Sequence, residues 1–395
     1  WLTGGLIIST TGSLALDCHV DADFAGNYQK TEADDPHSVR SRTGFVVAFG
    51  QAQQSPDIQE PKIGLVLSGG GAKGFAHIGA LKVIDSLGIQ VDYIAGTSMG
   101  AIIGGLYASG YTGKQLDSIF NSVDFDKLIN DVLPREAKSL YERQSSERHA
   151  VTLPFDKFKI QLPSAISRGQ NVFNLLSKLT LHVSDIDHFE KLPIPFFCIA
   201  TNVETGKAVL LDQGSLAKAI SASGAFPSLF QPIVIDDQIL IDGGVVNNYP
   251  IDELKAKGMD IIIGVDVQDD LMTREELQSA PDILLQINNY RTIRDMGVKS
   301  KQTDIYIKPD ITNFSVISFS EGKDIVKTGE VAARKELQEL IDLKKTQIDF
   351  WKKDNLKIAD SIKIRGVLLS GNKRYTRSYI LGKLKLRGDD NITFD

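Results

Sequence analysis

Between residues 62 and about 310 the chain alternates short apolar runs with longer segments whose apolar positions recur at helical spacing. "KIGLVLS" (62–68) is an almost unbroken apolar run of strand length, the pattern of a strand buried on both faces. Residues 75 to 87 then place Phe75, Ile78, Leu81, Ile84 and Leu87 near one helical face. "VDYIAG" predicts the next strand and "MGAIIGGLYASG" the next helix. Further strands are expected at "PFFCIATN", "KAVLLDQ", "QILIDGG" and "DIIIGVDV", with a helix over "YPIDELKAKG" between the last two. Two more helices are expected over residues 281–299 and about 322–346, the second strongly charged. This rhythm predicts an α/β fold, a mostly parallel sheet with helices on both faces.

The two ends differ from this pattern. "QAQQSPDIQE" (51–60) is a polar linker on composition, and the chain turns basic from Trp351 to Arg387. No internal repeat is present. A net charge of -6 over 395 residues gives no global reason to expect nucleic-acid binding. Cys18 and Cys198 are too few for a disulfide framework or a thiolate zinc site. No apolar run approaches the ~20 residues of a membrane-spanning helix. The first residue is Trp, so a fragment or processed product is expected. "WLTGGLIIST" lacks the positive start of a secretory signal, and Asp17 spoils "LALDC" as a lipoprotein cleavage site.

Chemistry is most legible in "LVLSGGGAKGFAHIGALKVIDSLG" (65–88), where Gly69, Gly71 and Gly74 stand in G-x-G-x-x-G order. Such a turn cradles a phosphate or presents backbone N–H groups to an oxyanion. A Walker-type loop needs Gly-Lys-Ser/Thr at its end, but Gly74 is followed by Phe75 and Ala76. A dinucleotide fold needs an acidic residue closing the next strand, and Asp92 lies at the start of that strand instead. The strand ends in Gly96, Thr97, Ser98, Met99, Gly100, a G-x-S-x-G sequence between strand and helix. That is the pattern of a nucleophile elbow, whose glycines permit a tight turn around an exposed hydroxyl. The helix beginning at Met99 favours negative charge at the site. A nucleotide-binding module built on the glycine loop is the alternative from another functional class.

A serine nucleophile needs a base. The histidines are His19, His37, His77, His149, His182 and His188, so an acid from the second half of the sheet has no histidine after it. His77 reads first as a helix residue packed near the glycine turn. Asp242 in "LIDGGVVNNYP" closes an apolar strand, and Gly243 and Gly244 permit close approach. It is a candidate base, and equally a turn former. Ser98 and Asp242 both fall at carboxyl ends of expected strands, where open α/β sheets place their sites.

Together "GGGAKG" (69–74), "GTSMG" (96–100) and "DGG" (242–244) resemble the patatin-like phospholipase family, as do "SASGAFPSLFQP" (221–232) and the "NNYP" after the DGG. The resemblance runs from about residue 62 to 310. It implies a three-layer sandwich in which Ser98 is the nucleophile and Asp242 the base of a dyad without histidine. The oxyanion donors it implies come from Gly69, Gly70 and Gly71, chiefly the last two. Gly74, Gly96, Gly100, Gly243 and Gly244 complete the motifs, and Lys73 either adds positive potential or is a surface lysine. The implied reaction is hydrolysis of a phospholipid or other acyl-ester lipid at a membrane surface, through an acyl-enzyme. It requires no metal and no cofactor, and involves no nucleic acid.

"KIADSIKIRGVLLSGNKRYTRSYILGKLKLRGDDNITFD" (357–395) resembles the first half of a POTRA module, which implies a secreted or outer-membrane setting; a solvated basic tail is the plainer reading. "LDCHVDADFAGNYQKTEADDPHSVRSRTGFVVAFG" (16–50) resembles the ribonuclease H region of copia-type retrotransposons, with Asp21 at the place of the first metal ligand. The similarity stops near Gly50, before the later acidic ligands, so this piece is expected to be inactive, a gene fusion or an assembly artefact. The expected plan is a ribonuclease H-like fragment (1–50), a linker (51–61), a patatin-like domain (62–350) and a partial POTRA-like module (357–395).

Overall fold

The apolar runs pair edge to edge into one eight-stranded sheet. In chain order its strands are β1 (Ile63–Leu67), β2 (Tyr93–Thr97), β3 (Phe196–Asn202), β4 (Lys207–Leu211), β5 (Ile233–Ile235), β6 (Gln238–Asp242), β7 (Ile261–Val265) and β8 (Ile305–Ile307). Across the sheet they lie in the order β5-β6-β3-β2-β1-β7-β8, with β4 also on β3. The computed structural model describes residues 60–131, 165–268, 280–347 and 376–384, with 270, 271, 273, 274 and 277 and the short strands 28–30, 39–41, 155–156, 159–160, 361–363 and 391–393.

Strands β3, β2, β1, β7 and β8 are parallel, as expected. β4 and β6 each pair antiparallel with β3, and β5 pairs antiparallel with β6, which makes the sheet mixed. For β3–β4 and β5–β6 the cause is the length of the connection. Only residues 203–206 separate β3 from β4, and Asp236 and Asp237, both at positive φ, turn β5 into β6. Links this short join antiparallel neighbours, since a parallel crossover takes a dozen or more residues.

Helices α1 (Phe75–Leu87), α2 (Met99–Ala108), α3 (Gly113–Ser122), α4 (Phe125–Ile129), α5 (Gln170–Leu179), α6 (Leu216–Ser223), α7 (Ile251–Ala256), α8 (Ala280–Lys299), α9 (Gly322–Lys335) and α10 (Leu337–Lys345) complete the unit. The expected final helix is two, separated at Glu336.

Side chains alternate across the strands. Leu65, Leu67, Ile94, Phe196 and Cys198 share one buried cluster with apolar residues of α1, α2, α6 and α9. Val66, Tyr93, Ala95, Phe197 and Ile199 share the other with Ile251 and Leu254 of α7 and Met296 of α8. Each fully buried aliphatic or aromatic side chain contributes about 1.5–3 kcal/mol. The three-layer α/β arrangement follows from covering both faces of the parallel strands.

The chain divides into two compact units, Trp1–Gln59 and Glu60–Asp395. In the first, Tyr28–Lys30 pairs antiparallel with Val39–Ser41. Near the end of the second, Ser361–Lys363 pairs antiparallel with Asn391–Thr393, and the helix Arg377–Leu384 lies between them in sequence. Asp21, Cys18, His19, His37 and His149 lie outside the described residues, as does most of 357–395. Among the described residues no helix is long and apolar enough to cross a membrane.

Candidate active site

One residue, Ser98, separates the end of β2 from the start of α2, and its backbone sits at φ 54°, ψ -124°. A non-glycine residue held there costs on the order of 1–3 kcal/mol and persists only where its surroundings fix it. The surroundings here are close. A β-carbon on Gly100 would meet the carbonyl oxygens of Leu67 and Ser68, and one on Gly96 would meet Gly100 O and the Ala101 backbone. The Ser98 N–H donates to Ser223 Oγ at 2.9 Å. Thr97 Oγ1 donates to the Asn247 carbonyl at 3.0 Å.

Asp242 reaches the same place from β6, which lies beside β3 with Asp242 opposite Ala200. Its Oδ2 accepts the Ser98 hydroxyl at 2.5 Å, and its Oδ1 accepts the Gly244 N–H at 2.7 Å. Its backbone is held as well, by N–H to Ala225 O at 3.0 Å and by Thr201 Oγ1 on its carbonyl at 2.9 Å. Gly243 packs on the Ile199 carbonyl so closely that no β-carbon would fit. Ser98 and Asp242 are both buried, at 9% and 3% exposure. Burial raises the Asp242 carboxyl to about 6, against the opposing pull of the Ser98 and Gly244 hydrogen bonds. At neutral pH such a group is mostly ionised yet basic enough to accept a proton.

The glycine turn closes the third side. Gly69 and Asn248 are doubly linked, by Gly69 N–H to Asn248 O at 3.3 Å and Asn248 Nδ2 to Gly69 O at 3.2 Å. The Ala72 N–H donates to Val316 O at 2.9 Å and the Lys73 N–H to Gly70 O at 3.2 Å. Among the described residues no acceptor takes the N–H of Gly70 or Gly71. Gly71 stands at φ 56°, in the left-handed region, and leads into the short 3-10 turn Gly71–Gly74. Gly74 lies against the Met99 side chain. Lys73 is not a surface lysine, for it is 4% exposed.

The remaining candidates fall elsewhere. His77 is buried in α1, where its Nε2 lies 2.8 Å from Ser68 O and burial pushes its pKa down to about 4. His182 Nε2 lies 2.9 Å from Ser109 O. Asp92 accepts the Ile63 N–H at 2.6 Å, at the end of the sheet away from Ser98. It therefore does not serve the glycine turn. Residues that motif reading did not single out are Ser223, Asn247 and Asn248, whose contacts join the three motifs. Their signal was present in "SASGAFP" and "NNYP".

Residues 65–255 match the profile of the family described as patatin-like phospholipase. Lysophospholipase NTE1 of Yarrowia lipolytica is 28% identical over 306 residues, 70% of this chain and 19% of the relative. Lysophospholipase nte1 of Emericella nidulans is 32% identical over 208 residues, 52% of this chain and 12% of the relative. The chain thus spans less than a fifth of the length of these curated relatives. Among solved structures, VipD of Legionella pneumophila has a TM-score of 0.36 at 18% identity, covering 71% of this chain and 67% of that one. Human GIVD cytosolic phospholipase A2 has a TM-score of 0.39 at 10% identity, with 73% and 60% covered. The glycine turn, the Ser98 elbow and Asp242 all fall within residues 65–255, the segment that matches the patatin-like phospholipase family.

Proposed function

We propose that the chain is a lipid acyl hydrolase of phospholipase A or esterase type, with Ser98 as nucleophile and Asp242 as base. The observation that carries this reading is the buried 2.5 Å hydrogen bond from Ser98 Oγ to Asp242 Oδ2. Ser98 Oγ attacks the acyl carbonyl while Oδ2 takes its proton. The carbonyl oxygen becomes an oxyanion, facing the N–H groups of Gly70 and Gly71, with Gly69 holding the turn. One such donor is typically worth ~3 kcal/mol in the transition state. Collapse expels the alcohol, which leaves with the proton from Asp242, and the acyl group stays on Ser98. Water then gives a proton to Asp242 and attacks the ester, and Ser98 recovers that proton as the fatty acid departs.

The substrate in this reading is a phospholipid or lysophospholipid ester, a class that the names of the curated relatives support, and it is met at a membrane surface. The test is fatty-acid release from mixed phospholipid vesicles and hydrolysis of a short chromogenic ester, for wild type, Ser98→Ala and Asp242→Asn. Loss in both variants with an unchanged circular dichroism spectrum is expected. Activity surviving Ser98→Ala would reduce the elbow to a structural turn.

We also read residues 62–350 as the hydrolase unit, 51–61 as a linker, 357–395 as the start of a POTRA module and 1–50 as a ribonuclease H-like remnant. The strand–helix–strand order of the described C-terminal elements supports the POTRA reading, and with it an outer-membrane or secreted setting. Sequencing the gene beyond residue 395 tests it, since no barrel-coding sequence downstream would count against it. Amplifying genomic DNA across residues 40–65 tests the fusion, because failure to obtain one contiguous product would mark the join as artefact.

A further inference from the structure

The "SASGAFP" segment takes no part in the chemistry described above, yet it touches the backbone of both members of the dyad. Ser223 is the last residue of α6 and is fully buried. Its hydroxyl accepts the Ser98 N–H at 2.9 Å and donates to the Ile199 carbonyl at 2.6 Å. The Ile199 carbonyl is the group on which Gly243 rests, one residue from Asp242. Two residues past Ser223, the Ala225 carbonyl accepts the Asp242 N–H at 3.0 Å.

We infer that Ser223 is a positioning residue for the reaction, fixing the separation of Ser98 and Asp242 through the Ser98 N–H and the Ile199 carbonyl. The inference rests on the reading of Ser98 and Asp242 as the reacting pair.

Three physical reasons support the assignment. Ser98 occupies a left-handed backbone conformation that its own side chain disfavours, so something outside the turn must hold it. A hydrogen bond to its N–H is the most direct hold available. Next, a buried N–H and a buried carbonyl both require partners, and one hydroxyl serves both because it accepts and donates at once. Alanine can do neither. Finally, the hold ends on the strand that pairs with β6. Displacement of the elbow is thereby transmitted to the strand carrying Asp242 and shifts both groups together rather than apart.

The arrangement also assigns the Ser98 N–H. It is engaged by Ser223 and so is not directed at the substrate oxyanion, which leaves that task to the glycine turn.

The experiment uses the full chain with Ser223→Ala, Ser223→Thr and, should the alanine variant fold poorly, Ser223→Gly, which removes the same hydroxyl. Steady-state kinetics on a short chromogenic ester are recorded from about pH 4 to 8, a span of roughly two units either side of an acid limb near pH 6. Ser98→Ala serves as the reference for the dyad. Loss of the hydroxyl is expected to lower kcat about tenfold or more while KM moves less than about threefold. The acidic limb of the profile should move to higher pH, because a loosened Ser98 hydroxyl no longer holds the Asp242 carboxyl down. Threonine retains the hydroxyl and should restore most of kcat and the wild-type limb. A merely structural serine would lower the amount of active enzyme without moving the limb. Unchanged kcat and an unchanged limb in Ser223→Ala would overturn the inference, as would a fall in kcat with the limb fixed. If Ser98→Ala keeps its activity, the dyad reading itself fails, and the two failures are thereby told apart.

Discussion

Gly69 and Ser98 are in contact across two motifs: a β-carbon on residue 69 would stand 2.8 Å from the Ser98 β-carbon and would also strike Asn248 Oδ1. The glycine turn is therefore seated on the elbow itself, and the N–H groups of the next two residues take their position from that contact. Gly69→Ala cannot be absorbed without moving the turn, the elbow or Asn248. A displacement of about 1 Å at a reacting centre can cost on the order of 100-fold in rate. The expected result is a kcat lowered by about that factor with a far-ultraviolet spectrum like the wild type. Activity within about twofold of wild type would mean that the turn does not depend on this contact.

As the proposed base, Asp242 would set the pH dependence. Its carboxyl is raised to about 6 by burial, and a base must be ionised to accept the Ser98 proton. The rate should therefore rise through about pH 6 and level off above it. In Asp242→Glu the longer side chain cannot keep both the Ser98 and the Gly244 hydrogen bonds, so activity should fall without full loss. A wild-type profile flat from pH 5 to 8 would remove Asp242 from the role of base, since a group titrating near 6 must show within that window.

The same shift makes Asp242 a cost to stability. Its folded value lies above the ordinary value of 3.8, so between pH 4 and 6 the folded state binds more protons than the unfolded chain. Stability then falls as pH rises through that window, and at pH 7 the full cost of the buried carboxylate is present. That cost is on the order of 3 kcal/mol. Asp242→Asn keeps the shape and removes the charge, so it should melt several degrees higher than wild type at pH 7, and the difference should shrink toward pH 4. A lower melting temperature for Asp242→Asn at pH 7 would show that the lost hydrogen bonds outweigh the removed charge.

What the sequence disclosed and what it hid divide along a physical line. Period and motif are local, so the strand at 63–67, the helix at 75–87 and the elbow at 96–100 were readable from side-chain order alone. The antiparallel pairing of β4 with β3 and of β5 with β6 depends on how few residues connect them, which apolar pattern does not encode. Partnership is also non-local. Ser223 lies 125 residues from Ser98, and its role depends on where α6 ends in space rather than on any spacing. Lys73 was ambiguous because its sequence neighbours are glycines and an alanine, which say nothing of what covers it. His77 was readable as a packing residue because helical spacing places it on the buried side of α1.

Lys299 offers a test of the support behind the elbow. Its ammonium donates to Asn247 Oδ1 at 2.7 Å and to the Tyr249 carbonyl at 2.8 Å. Asn247 in turn donates to Glu253 Oε1 at 2.8 Å and accepts from Thr97, the residue before Ser98. Burial pulls the Lys299 pKa down, and the charges of Glu253, Asp252 and Asp295 oppose that pull. The ammonium is thus retained by the acceptors around it. Lys299→Met fills much the same volume but leaves Asn247 Oδ1 without its donor, while the Tyr249 carbonyl keeps the Ile251 N–H at 2.9 Å. An acceptor so stranded costs about 1–3 kcal/mol. The melting temperature should drop by several degrees, while kcat falls only a few-fold, because Thr97 still donates to the Asn247 carbonyl. Measuring both on the same preparation separates support from chemistry: a large loss of kcat with no change in melting would place Lys299 in the reaction itself. A variant unchanged in both would show that the Asn247 segment holds its place without the lysine.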